Sequence, residues 1–179
     1  MNFDLQPTLV NDLITVVPLK AEDFDSLFAV ASDPLIWEQH PNKDRYKRAV
    51  FENFFKGAIA SKGAFIVYEN GTNKVVGSSR YYDLDESHSS VAVGYTFVAR
   101  EFWGKGHNKA LKTLMFNHAF QFVDQVILHI GATNFRSQKA IEKLGAVKIA
   151  ELEVAYYGEP LKWNFVYQLV KDKWRNRAS

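Results

Sequence analysis

Cysteine is absent from the 179 residues. That absence removes disulfides, thiolate metal sites and a cysteine nucleophile together. It accords with a reducing compartment, and a cytoplasmic protein is expected. No long block of like charge occurs, and the net charge is only +2. A nucleic-acid partner is therefore not expected. No apolar run approaches the roughly 20 residues of a membrane-spanning helix, so no membrane partner is expected either. Met1 to Pro7 carries Asp4 and lacks an apolar centre, so no secretory signal is expected there. His40, His88, His107, His118 and His129 show no ligand spacing such as His-x-x-x-His, and no metal is expected.

What is present suffices for one folded domain. Hydrophobic residues make up 47% and charged residues 23%, ordinary globular proportions. Leu13 to Leu19 alternates and is rich in Ile, Thr and Val, which predicts a strand. Ala21 to Ala31 places Phe24, Leu27, Phe28 and Ala31 on one helical face. Arg45 to Ser61 repeats that pattern with Val50, Phe54 and Ala58 beside Phe51, Phe55 and Ile59. Ala64 to Tyr68 and Val75 to Tyr82 are predicted strands around Asn70-Gly71, a hairpin signal. A third strand spans Ser89 to Val98. A helix then runs to about Phe122, with Leu111, Leu114, Met115, His118 and Phe122 inward. Val126 to Ile130 is a short strand, and Asn134 to Leu144 a helix closed by Gly145. Val147 to Tyr156 and Leu161 to Val170 form a closing hairpin.

The predicted order is β-α-α-β-β-β-α-β-α-β-β. That is one α/β (α+β) domain over residues 1–179, with a mixed sheet of about seven strands. Residues 1–8 and 172–179 are expected to be loose ends.

The most telling segment is Trp103-Gly104-Lys105-Gly106-His107-Asn108, set between a strand and an amphipathic helix. Glycines let backbone N–H groups approach a ligand with no Cβ between. A helix start adds unpaired donors and the positive end of the dipole, a fit for phosphate. The same Gly-x-Gly also serves as a plain strand-to-helix turn. Two nucleotide signatures fail on spacing. A phosphate-loop NTPase needs Gly-Lys-Ser/Thr, whereas Gly106 is followed by His107 and Asn108. The dinucleotide fingerprint needs a third glycine where Lys109 stands.

Taken together, the motifs and their order resemble the GNAT superfamily of acetyl-CoA-dependent N-acetyltransferases, along nearly the whole chain. Within it they look like the branch of the RimJ and RimL ribosomal-protein N-terminal acetyltransferases. The resemblance rests on Gly94-Tyr95, Trp103 to Gly106, Asn134-x-x-Ser137, Lys143-Leu144-Gly145-Ala146 and the stretch Ile36 to Pro41. It implies acetyl-CoA lying across a splay between the strands Ser89–Val98 and Val126–Ile130. The pyrophosphate would rest on N–H groups of Trp103, Gly104, Lys105, Gly106, His107 and Asn108. Arg100, Lys105 and Lys109 would add charge. The pantetheine would pair with backbone near Phe97, Val98 and Arg100, and Asn134 would hydrogen-bond it. Asn is also a good helix N-cap, and both roles are open. Ser137 is implied beside the leaving sulfur, and Tyr156 or Tyr157 stand where the branch often has a carboxylate base. Trp37, His40, Tyr81 and Tyr95 are candidates for the acceptor pocket, with His40, Glu38, Asp83 and Asp85 as candidate bases.

Departures bear on the chemistry. Many superfamily members place a Tyr seven residues after the Asn as acid for the thiolate; here Ile141 stands there. Asn108 replaces a usual Gly or Ala, and Ala110 a common Glu. The implied function is acetyl transfer to a primary amine, foremost a protein or peptide N-terminal α-amine. A small-molecule or antibiotic acetyltransferase and a silent acyl-CoA-binding domain are the alternatives. Monomer and homodimer are both open.

Overall fold

The computed structural model describes residues 3–155 and 160–176. Its strands are β1 (Leu9–Val10), β2 (Ile14–Pro18), β3 (Ala64–Glu69), β4 (Val75–Asp85), β5 (Ser90–Val98), β6 (Gln125–Gly131), β7 (Val147–Val154) and β8 (Lys162–Val170). Its helices are α1 (Phe24–Ala31), α2 (Arg48–Ala60), α3 (His107–Ala119), α4 (Phe135–Glu142) and α5 (Lys171–Arg175). The strands form one mixed sheet in the spatial order β1-β2-β3-β4-β5-β6-β8-β7. Every pairing is antiparallel except β5 with β6, which α3 joins as the crossover. This is a single α/β domain.

Period-two alternation splits the core between the two sheet faces. On β3, Phe65 and Val67 point to one face, where they meet Leu111, Met115 and Phe116 of α3. Ala64 and Ile66 point to the other, where α1 and α2 lie. That second face is strongly aromatic. Phe51 lies within ring-contact distance of Phe24, Phe28, Phe54, Phe55 and Phe97. Trp37 packs on Phe97 and donates its indole N–H to the Ala31 carbonyl at 2.7 Å. The loop after α1 is thereby pinned over β5.

Several boundaries differ from the sequence reading for local reasons. The first turn of the helix expected at Ala21 is a tighter 3-10 turn, Ala21–Asp23. The helix expected from Arg45 begins at Arg48, because Lys47 is extended; Lys43–Tyr46 forms a separate 3-10 turn. The eighth strand is β1, only two residues long, paired to Thr15 and Val16. The ends are tied down further than expected. Phe3 is buried, stacked on Phe122 at 4.9 Å and edge-on to Tyr81. His118 Nε2 contacts the Asp4 carbonyl at 2.8 Å. At the other end Trp174 packs on Phe116 and donates to Asn117 Oδ1.

Phe3→Ala is therefore expected to lower stability by about 3 kcal/mol, the usual range for a buried Phe truncation. Urea denaturation of the two proteins checks this; equal midpoints would mean that the N-terminal segment contributes nothing to the core.

Candidate functional site

One break in the sheet creates the site. β5 pairs with β6 only at Ser90–Gln125, Val91–Val126 and Ala92–Ile127. Beyond Ala92 the two strands part, although β6 stays paired with β8 through Gly131. A bulge on β5 accompanies the divergence. Its register against β4 jumps between Ser78–Phe97 and Arg80–Gly94. Tyr95 sits there with φ of 53°, a left-handed conformation rare for a large side chain. Its surroundings hold it so. The Arg80 guanidinium lies 3.8 Å from the Tyr95 ring centre, and Tyr82 meets that ring edge-on. Ser79 Oγ and Thr96 Oγ1 share a hydrogen bond of 2.7 Å.

A cleft of about 630 Å³ runs from the turn before α3 to the parted strands. At its outer end Gly104 and Gly106 have φ of 73° and 88°, and a Cβ on either would meet no protein atom. The space over the turn is thus open to a ligand, and side chains there are disfavoured by backbone conformation rather than by packing. Trp103 donates its indole N–H to the Val98 carbonyl. The Arg136 guanidinium stacks 3.9 Å over the Trp103 ring and reaches the Ile36 carbonyl. Asn134 caps α4 through Oδ1, which accepts the Ser137 N–H at 3.2 Å. Its Nδ2 makes no hydrogen bond among the described residues, so the amide still has a donor to offer the cleft. Phe97, Val98, Asn108, Lys109 and Ser137 also line the cleft.

A smaller cavity of about 100 Å³ lies at the inner end of the splay. His40, Thr96, Asn108, Asn134, Ser137 and Ala140 border both spaces, so the two meet there. Gly131 lets the His40 loop close onto β6: a Cβ would come within 2.6 Å of the Pro41 ring. His40 Nδ1 accepts the Asn42 N–H, and Nε2 lies 3.2 Å from Arg45 Nη1. Burial, then the Arg45 cation, hold this imidazole well below its ordinary pKa. It is neutral and a weak proton acceptor.

The structure places other expected residues elsewhere. Tyr81 lies in the core, not in the acceptor pocket; strand alternation turns it toward α3, where its hydroxyl donates to the Met115 carbonyl. Burial pushes that phenol above its usual range. Trp37 and Tyr95 do border the cavities. Arg100 is paired with Asp33 and lies outside the cleft lining, as does exposed Lys105. The His107 ring is buried against Phe102, with Nε2 3.2 Å from Glu69 Oε1, and anchors the start of α3. Asp85 accepts from Ser87 and His88, which hold its carboxyl below the usual range in an exposed turn. Glu38 is exposed and borders neither cavity. Tyr156 and Tyr157 lie outside the described residues.

Five basic residues at the site were not anticipated as such from the sequence. Arg136, Lys139 and Lys143 bring positive charge to the cleft wall; the signal was their place on or just after α4, which Asn134 caps. Arg45 is buried over the Phe54 ring at 4.7 Å. Lys112 is buried in the inner cavity, one helical turn after Asn108, where its Nζ donates to Thr96 Oγ1 at 2.7 Å. Burial alone brings this amine down from 10.5 to about 7.

That shift has a sign in stability. Between about 7 and 10.5 the unfolded chain binds the lysine proton and the folded chain does not. Lys112 therefore adds a contribution to stability that rises with pH across this window. Lys112→Met is expected to remove the rise, as denaturation at a series of pH values will show. A wild-type curve that parallels the variant would place a charged lysine at this position.

The family model for the acetyltransferase (GNAT) domain matches residues 14–147, most of the chain. No curated protein sequence matches it significantly. Among solved structures it is similar to a GCN5-related N-acetyltransferase from Brucella melitensis, at a TM-score of 0.81 and 17% identity over 95% of this chain and 81% of that one. It is similar to spermidine N-acetyltransferase from Vibrio cholerae in complex with CoA and spermine, at 0.70 and 16% over 93% and 100%. It is also similar to Mycobacterium smegmatis RimJ in complex with CoA-disulfide, at 0.70 and 14% over 94% and 88%. At these identities the structures speak for the fold, and the family match, with the splayed sheet and open glycine turn, assigns the chain: it belongs to the GNAT acetyltransferase family.

Proposed function

We propose that the protein transfers an acetyl group from acetyl-CoA to a primary amine, foremost the N-terminal α-amine of a protein or peptide, as in the RimJ/RimL branch. One observation carries the reading: a cleft that starts at an open helix N-terminus and ends where two parallel strands part. The diphosphate rests on the N–H groups at Gly104 to Asn108, with Lys109 and Arg136 beside it. The pantetheine runs along the unpaired edge of β5 near Phe97 and Val98, as a strand would. Asn134 Nδ2 donates to it, and Ser137 meets the sulfur. A β5 N–H polarises the thioester carbonyl.

The acceptor enters the inner cavity past His40 and Tyr95. Among the described residues no carboxylate borders the cleft or the inner cavity, while Arg45 and Lys112 do. That wall suits an α-amine better than a polycation. An α-amine also has a reference pKa of about 8, so about a tenth is neutral and reactive at pH 7. A second reading, a small polyamine acceptor, is favoured by the acidic depression at Asp83, Asp85 and Glu86, which shares His129 with the inner cavity. Turnover of a Ser-initiated peptide measured against spermidine separates the two.

Two substitutions test the site. Gly106→Val places a side chain over the turn in a disfavoured conformation. Acetyl-CoA affinity is expected to collapse by calorimetry while the circular dichroism spectrum stays that of the wild type. Full affinity in the folded variant would remove the turn from the site. The CoA thiol is similar to a cysteine thiol, with a reference pKa of about 8.5, so one good hydrogen bond serves its departure. Ser137→Ala is expected to lower kcat about ten- to a hundredfold with little change in the acetyl-CoA KM. A larger loss in Tyr156→Phe or Tyr157→Phe would transfer the role to a phenol.

A further inference from the structure

Lys112 is a buried amine that neither the fold nor cofactor binding explains. It is 4% exposed, and Thr96 Oγ1 is its hydrogen-bond partner among the described residues. Among the described residues no carboxylate pairs with it, whereas buried lysines are almost always paired. Packing alone would be served by an apolar side chain at lower desolvation cost. Thr96 is placed to accept its hydrogen bond, because the Thr96 hydroxyl can itself donate to the Gly94 carbonyl. One Nζ–H is thus taken by Thr96, which borders both the inner cavity and the cleft, and Lys112 itself lines the inner cavity. Ile141 borders the same cavity and offers no proton.

We propose, resting on the transferase reading, that Lys112 is the proton carrier of the acetyl transfer. As the acceptor nitrogen bonds to the thioester carbonyl carbon, neutral Lys112 takes a proton from that nitrogen. The C–S bond then breaks, and the Lys112 ammonium returns the proton to the departing thiolate. The products are the acetamide and CoA thiol, and Lys112 is again neutral. No outside base or acid is consumed once the acceptor arrives as a free amine.

The titration range suits both halves of the cycle. An amine brought down to about 7 is mostly unprotonated at neutral pH, and its conjugate acid is strong enough to protonate a thiolate of pKa about 8.5. Among the described residues the other ionisable groups on this cavity are His40, His129, Arg45 and the Tyr95 phenol. Burial holds both imidazoles low, with Asp83 acting against it at His129. His129 Nδ1 is engaged with the Tyr82 hydroxyl.

The test uses the full chain with a Ser-initiated peptide and with spermidine as acceptors. Lys112→Met keeps the length of the side chain and removes the proton site; Lys112→Arg keeps a fixed positive charge. Both are expected to lose at least about a hundredfold in kcat with acetyl-CoA affinity unchanged. Protonation of the acceptor amine gives the wild type and Lys112→Met alike an acid limb, and the wild type is expected to carry a further one near pH 7 that Lys112→Met lacks. Independently of activity, the carbon-13 signal of the Lys112 ε-methylene in the wild type should titrate near 7. An active wild type with an equally active Lys112→Met overturns the proposal alone. So does rescue by Lys112→Arg, which would assign a charge role, or a signal that titrates above 10. A wild type that binds acetyl-CoA and acetylates neither acceptor overturns the transferase reading, and this proposal with it.

Discussion

The bulge at Tyr95 is the constraint on which the rest of the molecule turns. A continuous sheet satisfies every backbone group in its interior. Here β5 leaves its parallel neighbour after Ala92, so a backbone edge lies open in the middle of the sheet rather than at its rim. Such an edge calls for a partner that is extended and rich in amides. Keeping Tyr95 left-handed is unfavourable by itself, and the cost is met locally. Arg80 lies over its ring, Tyr82 packs on its edge, and the Ser79–Thr96 hydrogen bond ties the bulged residues to β4. Arg80 is in turn bonded to the Gly57 carbonyl on α2. The helical layer thereby helps keep the splay open.

The two ends of the opening differ in electrostatics. The outer end is a helix start with glycines, Lys109 and Arg136, all near solvent, which suits a multiply charged and well-hydrated group. The inner end is enclosed, and charge there is expensive. His40, His129 and Lys112 all respond by shifting toward their neutral forms. A cavity of neutral nitrogen bases is a suitable place for an amine to lose a proton. The aromatic layer supports this arrangement, since Trp37 and Phe54 carry the loop that brings His40 and Arg45 to the wall.

Much of this was legible in the chain, and the failures have physical causes. The strands and helices from Ala64 to Leu144 announced themselves because each has one buried face and clear punctuation. The turn at Gly104 and Gly106, and the cap at Asn134, could be read because their chemistry is local. Tyr81 was misplaced: an aromatic in a strand beside a suspected pocket can face either way, and only the pairing of β4 decides which. Arg100 and Lys105 were expected at the cleft and lie outside its lining, because the partner of a surface cation depends on residues far away in the chain, here Asp33 for Arg100. Lys112 was overlooked because a lysine after a leucine on an amphipathic helix reads as a solvated flank. Phe3 was overlooked because terminal residues carry no periodicity.

The amino-acid sequence by itself determined what is local: element types, turn chemistry, the phosphate-ready helix start and, by its order of motifs, the family. Those properties follow from backbone sterics and from side chains a few residues apart. Tertiary structure alone decided where the sheet opens, which cations border the cleft, and that Lys112 lies in the dark interior beside Thr96. These depend on register between β4 and β5 and on burial, and both are set by contacts between residues distant in the chain.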